Sequence, residues 1–513
     1  MGSLLGCSLV ALLLAGSGLG SPGVETTIQD DATLLHRSDA ELRQATRQIA
    51  ELGADRVRLT AGWSVLAPSP RARRRPGRPF DARDSSTYPE AGFDALDRAV
   101  RAVGAAGMKV QIDIAFWAPR WAVAKPSSNP DRQRYIPNAR AFANFAAAVA
   151  RRYSGDFPDP RRPGRHLPAV RMYTTWNEPN HVSFLAPQWK AVHGGGYRPY
   201  SPHVYRAMHE AAYREIKAVS GENLVLIGGL SSFGSTVPGK GAVPPLPFLR
   251  TMACVDAAMQ PLQVPECRNA GPLHADGLAL HPYSVGVAPG TPAPHPDDVF
   301  LADLGRMDAL LTQLREAGRI DQPWPLYLTE YGYDTGDFAQ TPETQAAYQG
   351  WSTFLAQRDP NVRMFAQFLL RDIPDGRPRP YTRSGLLYAD GRPKPAAQAF
   401  KIPLYGAYAI GADGQPALVL YGGVRPGDGR KTVRVERRDG TTGQWAAVTT
   451  TGSTCGADDA AFLTDGSGFF TRTAAWQGPG TYRLGWLHGG GYEYGAAIPV
   501  DQGAPLPMPP PGQ

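Results

Sequence analysis

Along this chain, short runs of nearly continuous apolar residues alternate with longer stretches in which apolar residues recur every three to four positions. A short apolar run bounded by polar turns marks a strand buried on both faces, and the longer period marks an amphipathic helix. The strand-like runs cover residues 24–29, 55–60, 109–115, 170–176, 224–230, 277–281, 326–330 and 362–370. Helical stretches at 39–52, 93–106, 139–153, 204–219, 299–317 and 341–357 lie between them. Eight strands joined by crossover helices predict an α/β fold, a parallel sheet closed into a (β/α)8 TIM barrel.

Beyond Pro403 the rhythm changes. Short alternating segments at 417–421, 431–437, 445–450, 468–475 and 480–486 are punctuated by Pro-Gly, Asp-Gly and Gly-Ser-Gly turns. They predict a small C-terminal antiparallel β-sandwich. The expected organisation is a signal peptide over 1–22, the barrel over 23–402, an accessory β-sandwich over 403–496 that braces the barrel, and a Pro-rich disordered tail over 497–513. No internal repeat is visible.

Composition adds limits. The chain is 42% hydrophobic and 19% charged, with 57 Gly and 49 Pro, which describes a globular protein with long ordered loops. Its net charge of +7 is a mild excess over 513 residues. The densest basic run is Arg71, Arg73, Arg74, Arg75 and Arg78. It sits among prolines without an aromatic or helical pattern, so it reads as a solvated loop and nucleic acid is not expected as a partner. Residues 9–15 form an apolar core followed by Gly16, Ser17, Gly18, Gly20 and Ser21. This predicts export and a secreted or extracytoplasmic location, although no Lys or Arg precedes the core. Leu4-Leu5-Gly6-Cys7 looks like a lipoprotein box but stands ahead of the apolar core instead of after it. No other apolar run approaches the roughly 18 residues of a membrane span, so the mature chain is expected to be free of the membrane and monomeric. Of the four cysteines, Cys7 goes with the signal. Cys254 and Cys267 flank a short Pro-containing loop and are the expected disulfide in an oxidising compartment; Cys455 is left over.

Two runs carry chemistry. Thr174-Thr175-Trp176-Asn177-Glu178-Pro179-Asn180 closes the fourth strand, and Leu326-Tyr327-Leu328-Thr329-Glu330-Tyr331-Gly332 closes the seventh. Active sites of such barrels lie at the C-terminal strand ends. Strands four and seven face each other across that mouth, so Glu178 and Glu330 can converge on one substrate. A carboxylic acid and a carboxylate flanking a sugar carbon are what glycosidic bond cleavage needs, and no cofactor or metal is then expected. A carboxyl separation of about 5–5.5 Å would make the enzyme retaining, and a wider one inverting.

These two motifs together resemble clan A of the glycoside hydrolases, the 4/7 retaining barrels, most like families 39 and 5. The resemblance covers roughly residues 24–400. It implies that Glu178 is the acid/base and Glu330 the nucleophile, acting on a β-linked glycoside or polysaccharide. It also implies that Arg58 hydrogen-bonds the nucleophile, that Asn177 binds the sugar 2-hydroxyl, and that Tyr283, in His281-Pro282-Tyr283, orients the nucleophile with His281 beside it. Trp63, Trp117 and Trp121 follow the second and third strands and, with Tyr331 and Trp176, are candidate sugar platforms, because apolar sugar faces stack on aromatic rings. The chain departs from family 5 at two places. Ala115-Phe116-Trp117 stands where a His is usual, and Gln367-Phe368 where strand eight usually carries a Trp. The long segments 67–88 and 184–202 are expected to wall the cleft.

Rival readings are weaker. A non-catalytic carbohydrate-binding protein on a barrel scaffold would leave both glutamates, Asn177 and Arg58 without a purpose. An esterase reading rests on His193-Gly194-Gly195-Gly196 and His488-Gly489-Gly490-Gly491, but no Gly-x-Ser-x-Gly elbow accompanies them. The run from Gly234 to Gly241 nearly matches a phosphate loop, yet Gly241 follows Lys240 where Ser or Thr should bind magnesium.

Overall fold

The computed structural model describes residues 23–124, 133–335, 340–374, 382–411, 413–451 and 460–503. The expected signal peptide with Cys7, residues 504–513 of the expected tail and Cys455 lie outside the described residues. The expected tail over 497–513 is corrected at its start: Ile498–Val500 is a strand paired with Gly480–Tyr482, and its Ile498 and Val500 side chains are buried in the C-terminal core, so the folded region runs past residue 496.

Eight strands form the barrel: β1 (Glu25–Gln29), β2 (Arg56–Gly62), β3 (Lys109–Ala115), β4 (Met172–Thr175), β5 (Leu224–Ser231), β6 (Gly277–His281), β7 (Leu326–Leu328) and β8 (Val362–Phe368). They are parallel and follow chain order around the barrel. It closes where β1 pairs with β8, from Glu25 against Met364 to Gln29 against Phe368. The fold is the TIM barrel that the alternating pattern predicts. Around it lie α1 (Asp39–Glu51), α2 (Glu90–Ala105), α3 (Ala139–Arg152), α4 (Ser201–Val219), α5 (Pro245–Met252), α6 (Leu304–Glu316), α7 (Pro342–Arg358) and α8 (Pro395–Lys401).

Local sequence explains the starts of these helices. Ser38 and Glu41 form a reciprocal capping box on α1. The Asn138 side chain accepts the Ala141 N–H at 2.9 Å and opens α3, whose Phe142, Phe145 and Val149 press onto the barrel. Inside the barrel, Met172, Leu226, Ala279, Tyr327 and Met364 fill the bore with apolar volume. Polar side chains gather nearer the C-terminal ends: Gln111 donates to Thr174 Oγ1 at 2.6 Å, and Arg58 sits one strand away beside Gln29. The bore is therefore a packed core below and a hydrogen-bonding floor above.

After α8 come nine antiparallel strands: β9 (Leu404–Ile410), β10 (Pro416–Gly423), β11 (Thr432–Arg438), β12 (Trp445–Ala447), β13 (Phe462–Leu463), β14 (Phe469–Ala475), β15 (Gly480–His488), β16 (Gly491–Tyr494) and β17 (Ile498–Val500). One sheet runs β9-β10-β14. The other is built on β11 and β15 with β12, β13, β16 and β17 beside them. Leu418, Leu420, Val433, Val435 and Leu484 fill the space between, as in a β-sandwich.

Arg425 ties these sheets to the barrel. It is 2% exposed, donates from Nε to Thr26 Oγ1 of β1 at 3.1 Å and from Nη2 to Thr353 Oγ1 of α7 at 3.3 Å, and donates from Nη1 to the Phe400 carbonyl of α8. Its guanidinium also lies over the Phe400 ring, 4.7 Å from the centroid. A disulfide joins Cys254 and Cys267 in the loop after α5. Among the described residues, no helix is long and apolar enough to cross a membrane.

Candidate active site

The site is assembled from six strand ends. Its anchor is Arg58, which points from β2 into the barrel and is fully buried. Nη1 donates to Gln29 of β1 and to Glu330 beyond β7. Nη2 donates to Asp113 Oδ2 of β3 at 2.9 Å and to Asn177 Oδ1 beyond β4 at 3.0 Å. A planar guanidinium with fixed donor directions thus sets the positions of four side chains at once. Tyr283, beyond β6, donates its hydroxyl to Glu330 Oε2 at 3.3 Å.

His281 ends β6 and is fully buried. Its Nδ1 lies 3.1 Å from Glu178 Oε1 and 3.6 Å from Glu330 Oε2. One oxygen of each glutamate and a ring nitrogen of His281 all lie within 4.8 Å of one another. The two glutamate side chains are 16% and 11% exposed, so both reach the barrel mouth.

The local backbone explains how Glu178 gets there. β4 stops at Thr175, and both Trp176 and Glu178 take positive φ, 72° and 39°. A non-glycine residue in that region is uncommon and is held by its surroundings. Here the Trp176 N–H donates to the Ile114 carbonyl at 2.8 Å, and the Glu178 N–H donates to the Gly229 carbonyl at 3.0 Å. Gly229 itself has φ +64°, beside a register shift in β5, and a Cβ there would approach His281 Nε2 to 3.6 Å.

Two carboxyls around Arg58, those of Glu330 and Asp113, are driven in opposite directions. Burial alone would raise Glu330, but the nearby His281 and Arg58, with the Tyr283 hydroxyl, outweigh it and hold the group below its ordinary value. Asp113 goes the other way: burial, against the pull of Arg58, pushes it up to about 7. Its Oδ1 has no partner among the described residues, which suits a protonated acid. The triad of Glu178, His281 and Glu330 also presents the donor types a divalent cation could use. Arg58 already balances Glu330, which disfavours a second positive charge there. The other such group, His203 with Cys254 and Cys267, offers no thiolate because the cysteines are bonded.

The structure brings together Glu178, Glu330, Arg58, Asn177, His281 and Tyr283. It corrects three candidate platforms. Trp63 has no exposed surface; it stacks on Phe145 at 5.8 Å between barrel and α3, so neither face is left for a sugar. Trp176 is likewise fully buried, edge-on to Phe142. Tyr331 is 3% exposed, and its hydroxyl is engaged with Ser284, Tyr333 and Ser352. Trp117, 41% exposed, retains an open ring, anchored by Nε1 to the Ser183 carbonyl at 2.9 Å. Trp121 is half-buried, edge-on to Trp63. Asp113 and Gln29 were absent from the sequence-based candidates. Asp113 carried a signal, a carboxyl alternating with the apolar Val110, Ile112 and Ile114 of β3; Gln29 carried none, because β1 is Glu-Thr-Thr-Ile-Gln and polar throughout except at Ile28.

Known proteins can be set beside this geometry. The family profile described as cellulase (glycosyl hydrolase family 5) matches residues 15–366. A solved family 39 glycoside hydrolase from Bacteroides cellulosilyticus WH2 aligns with a TM-score of 0.50 at 17% identity, over 89% of this chain and 81% of its own. An exo-β-1,4-mannosidase from Opitutaceae bacterium strain TAV5 gives 0.43 and 16%, over 75% of this chain and 60% of its own. An endo-β-1,4-mannanase from Thermotoga petrophila gives 0.41 and 12%, over 94% and 98%. At such identities the likeness concerns the fold. No curated protein sequence matches.

Proposed function

From the premise that this chain belongs to the cellulase family, glycosyl hydrolase family 5, and is a retaining glycosidase, we propose that Glu178 and Glu330 perform its double displacement on a β-linked glycoside or polysaccharide. The observation that carries this assignment is the convergence of oxygens from both glutamates within 4.8 Å, with His281 against both.

In the first step a Glu330 oxygen attacks the anomeric carbon while Glu178 gives its proton to the departing glycosidic oxygen. The C–O bond to the leaving group breaks and a glycosyl ester forms. In the second step Glu178, now a carboxylate, takes a proton from water as that water's oxygen displaces Glu330. The depressed pKa of Glu330 supports the nucleophile's role, since it must be ionised. Arg58 and Tyr283 hold its two oxygens in place. The carbonyl-side contact of Asn177 with Arg58 leaves its amide N–H2 for a sugar hydroxyl. Trp117, which follows β3, is the candidate platform that keeps an exposed ring. The Cys254–Cys267 disulfide supports an extracytoplasmic setting, and the C-terminal sheets, welded through Arg425, support a bracing role.

The test is chemical. Glu330→Ala should abolish turnover and regain it with azide, giving a glycosyl azide of inverted configuration. Glu178→Ala should keep activity only on glycosides with very good leaving groups. If either variant retained most of its activity on a natural polysaccharide, the assignment would fail.

A further inference from the structure

Away from the barrel mouth, the outer helical layer carries a groove of about 450 Å³. Six arginines line it: Arg43 and Arg47 of α1, Arg98 and Arg101 of α2, and Arg161 and Arg162 from the connection between α3 and β4. No lysine lines it, and the only carboxylate that does is Asp39. The local sequence builds it directly. Asp39, Arg43 and Arg47 follow one another at four-residue spacing and share one face of α1. The facing part of α2 offers Ala102 and Ala105, followed by Ala106; these small side chains leave the space open.

The charges divide into two sets. Arg101 pairs with Asp159 at 2.8 Å, Arg98 with Asp39 at 2.7 Å and Arg161 with Asp94 at 2.7 Å. Arg43, Arg47 and Arg162 form no ion pair among the described residues, and Arg43 and Arg47 are exposed like charges one helical turn apart, an arrangement that destabilises a helix when nothing neutralises it. Three unneutralised guanidinium forks thus face one concavity whose walls are fixed by the three paired ones.

We propose that this groove is a second carbohydrate-binding site, one that takes an acidic polysaccharide through the carboxylates of its uronate residues. Arginine grips a carboxylate by two parallel N–H bonds, which a lysine cannot do. The volume lies within the range of ordinary ligand sites. No aromatic ring lines the groove, so it lacks the stacking platforms that single-stranded nucleic acids use. Its apolar lining is alanine and the buried Leu42, with no exposed large apolar side chain to enter a lipid surface. The choice of a glycan rests on the carbohydrate substrate proposed above. None of the lining residues belongs to the strand ends that carry Glu178 and Glu330, so the groove tethers a polymer without touching the reacting bond.

Affinity electrophoresis through gels containing polygalacturonate tests this without turnover, so a failure of the catalytic assignment would leave the result readable. The native protein should be retarded at low salt, and not by dextran, which is uncharged and α-linked and so offers neither carboxylates to the groove nor a β-linkage to the barrel mouth. The triple variant Arg43→Ala, Arg47→Ala, Arg162→Ala should lose at least about tenfold in apparent affinity, with a melting temperature no lower than the native one and an unchanged rate on a small aryl β-glycoside. The matching triple Lys variant keeps the charge but not the forks, and should recover only a minor part of the binding. Equal retardation of native and triple Ala protein would overturn the proposal. So would absence of retardation, or retardation by single-stranded DNA as strong as that by polygalacturonate.

Discussion

Arg58 and Glu330 stand 272 residues apart in the chain and meet as a buried ion pair beneath the barrel mouth. The same guanidinium holds Asp113 and Asn177, so one side chain fixes both the charge and the position of the carboxylate assigned to attack the sugar.

Replacing that anchor should therefore act on rate and on pH together. Arg58→Lys keeps a cation but loses the fork. It should lower kcat/KM by roughly 10²–10³-fold, the scale of a lost preorganised donor. Arg58 is one of the causes that hold Glu330 below its ordinary pKa, so the acidic limb of the kcat/KM profile should move to higher pH in the variant. An unmoved limb would show that the guanidinium's hydrogen bond, as distinct from a cation at that place, does not govern the ionisation of Glu330.

Asp113 makes a separate prediction about stability. Its carboxyl titrates near 7 in the fold and near 3.8 when unfolded, so between those values the folded state holds the extra proton. The stability this contributes is complete below the unfolded value and is lost as pH rises through about 7. Asp113→Asn removes the titration. The decline in melting temperature from pH 5 to pH 8 should be smaller in the variant than in the native protein, measured by thermal unfolding at both values.

The two tryptophans that follow β2 and β3 should behave differently. Trp117→Ala removes an open ring and should raise KM for polysaccharide about 2–12-fold, the equivalent of roughly 0.5–1.5 kcal/mol of stacking, with little change in kcat. Trp63→Ala removes a buried ring packed on Phe145 and should cost about 3–5 kcal/mol of stability in denaturant unfolding. A large KM effect from Trp63→Ala in a fully folded protein would restore it as a platform.

Arg425→Met tests the junction. Its carbonyl and two hydroxyl acceptors would lose their donor in a buried place, at a cost of about 1–3 kcal/mol for each unsatisfied group. Limited proteolysis should then cut between the barrel and the C-terminal sheets at a protease concentration that leaves the native protein intact.

Much of this architecture was legible because a barrel strand is apolar on both faces. The predicted bounds of the third and sixth strands, 109–115 and 277–281, coincide with β3 and β6. The helices α5 and α8 were not, because each opens on proline. Proline breaks a helix in its interior, but Pro245 and Pro395 stand at the first helical turn, where proline gives up no hydrogen bond. Short sheet pieces such as Gly491–Tyr494 and Ile498–Val500 lack the length to show a period. The meeting of Glu178, Glu330, Arg58, Asn177, His281 and Tyr283 was foreseeable from strand order plus resemblance. The burial of Trp63 and Tyr331 was not, since sequence does not say whether a loop residue turns toward the mouth or back against the helices. Asp113 could have been found by counting: Gln111 and Asp113 alternate with Val110, Ile112 and Ile114, which puts both polar groups on one face of β3.

The Arg425 junction has an evolutionary corollary. Its three acceptors come from the first strand of the barrel and from its last two helices, so the sheets beyond residue 403 meet the barrel where its sequence begins and ends. Cutting or exchanging that region by gene fusion would strand acceptors at both extremities of the catalytic scaffold. Unlike a module tethered by a flexible linker, the region is not a free-standing cassette: a graft onto another barrel has to bring matching acceptors at both ends of that barrel's sequence.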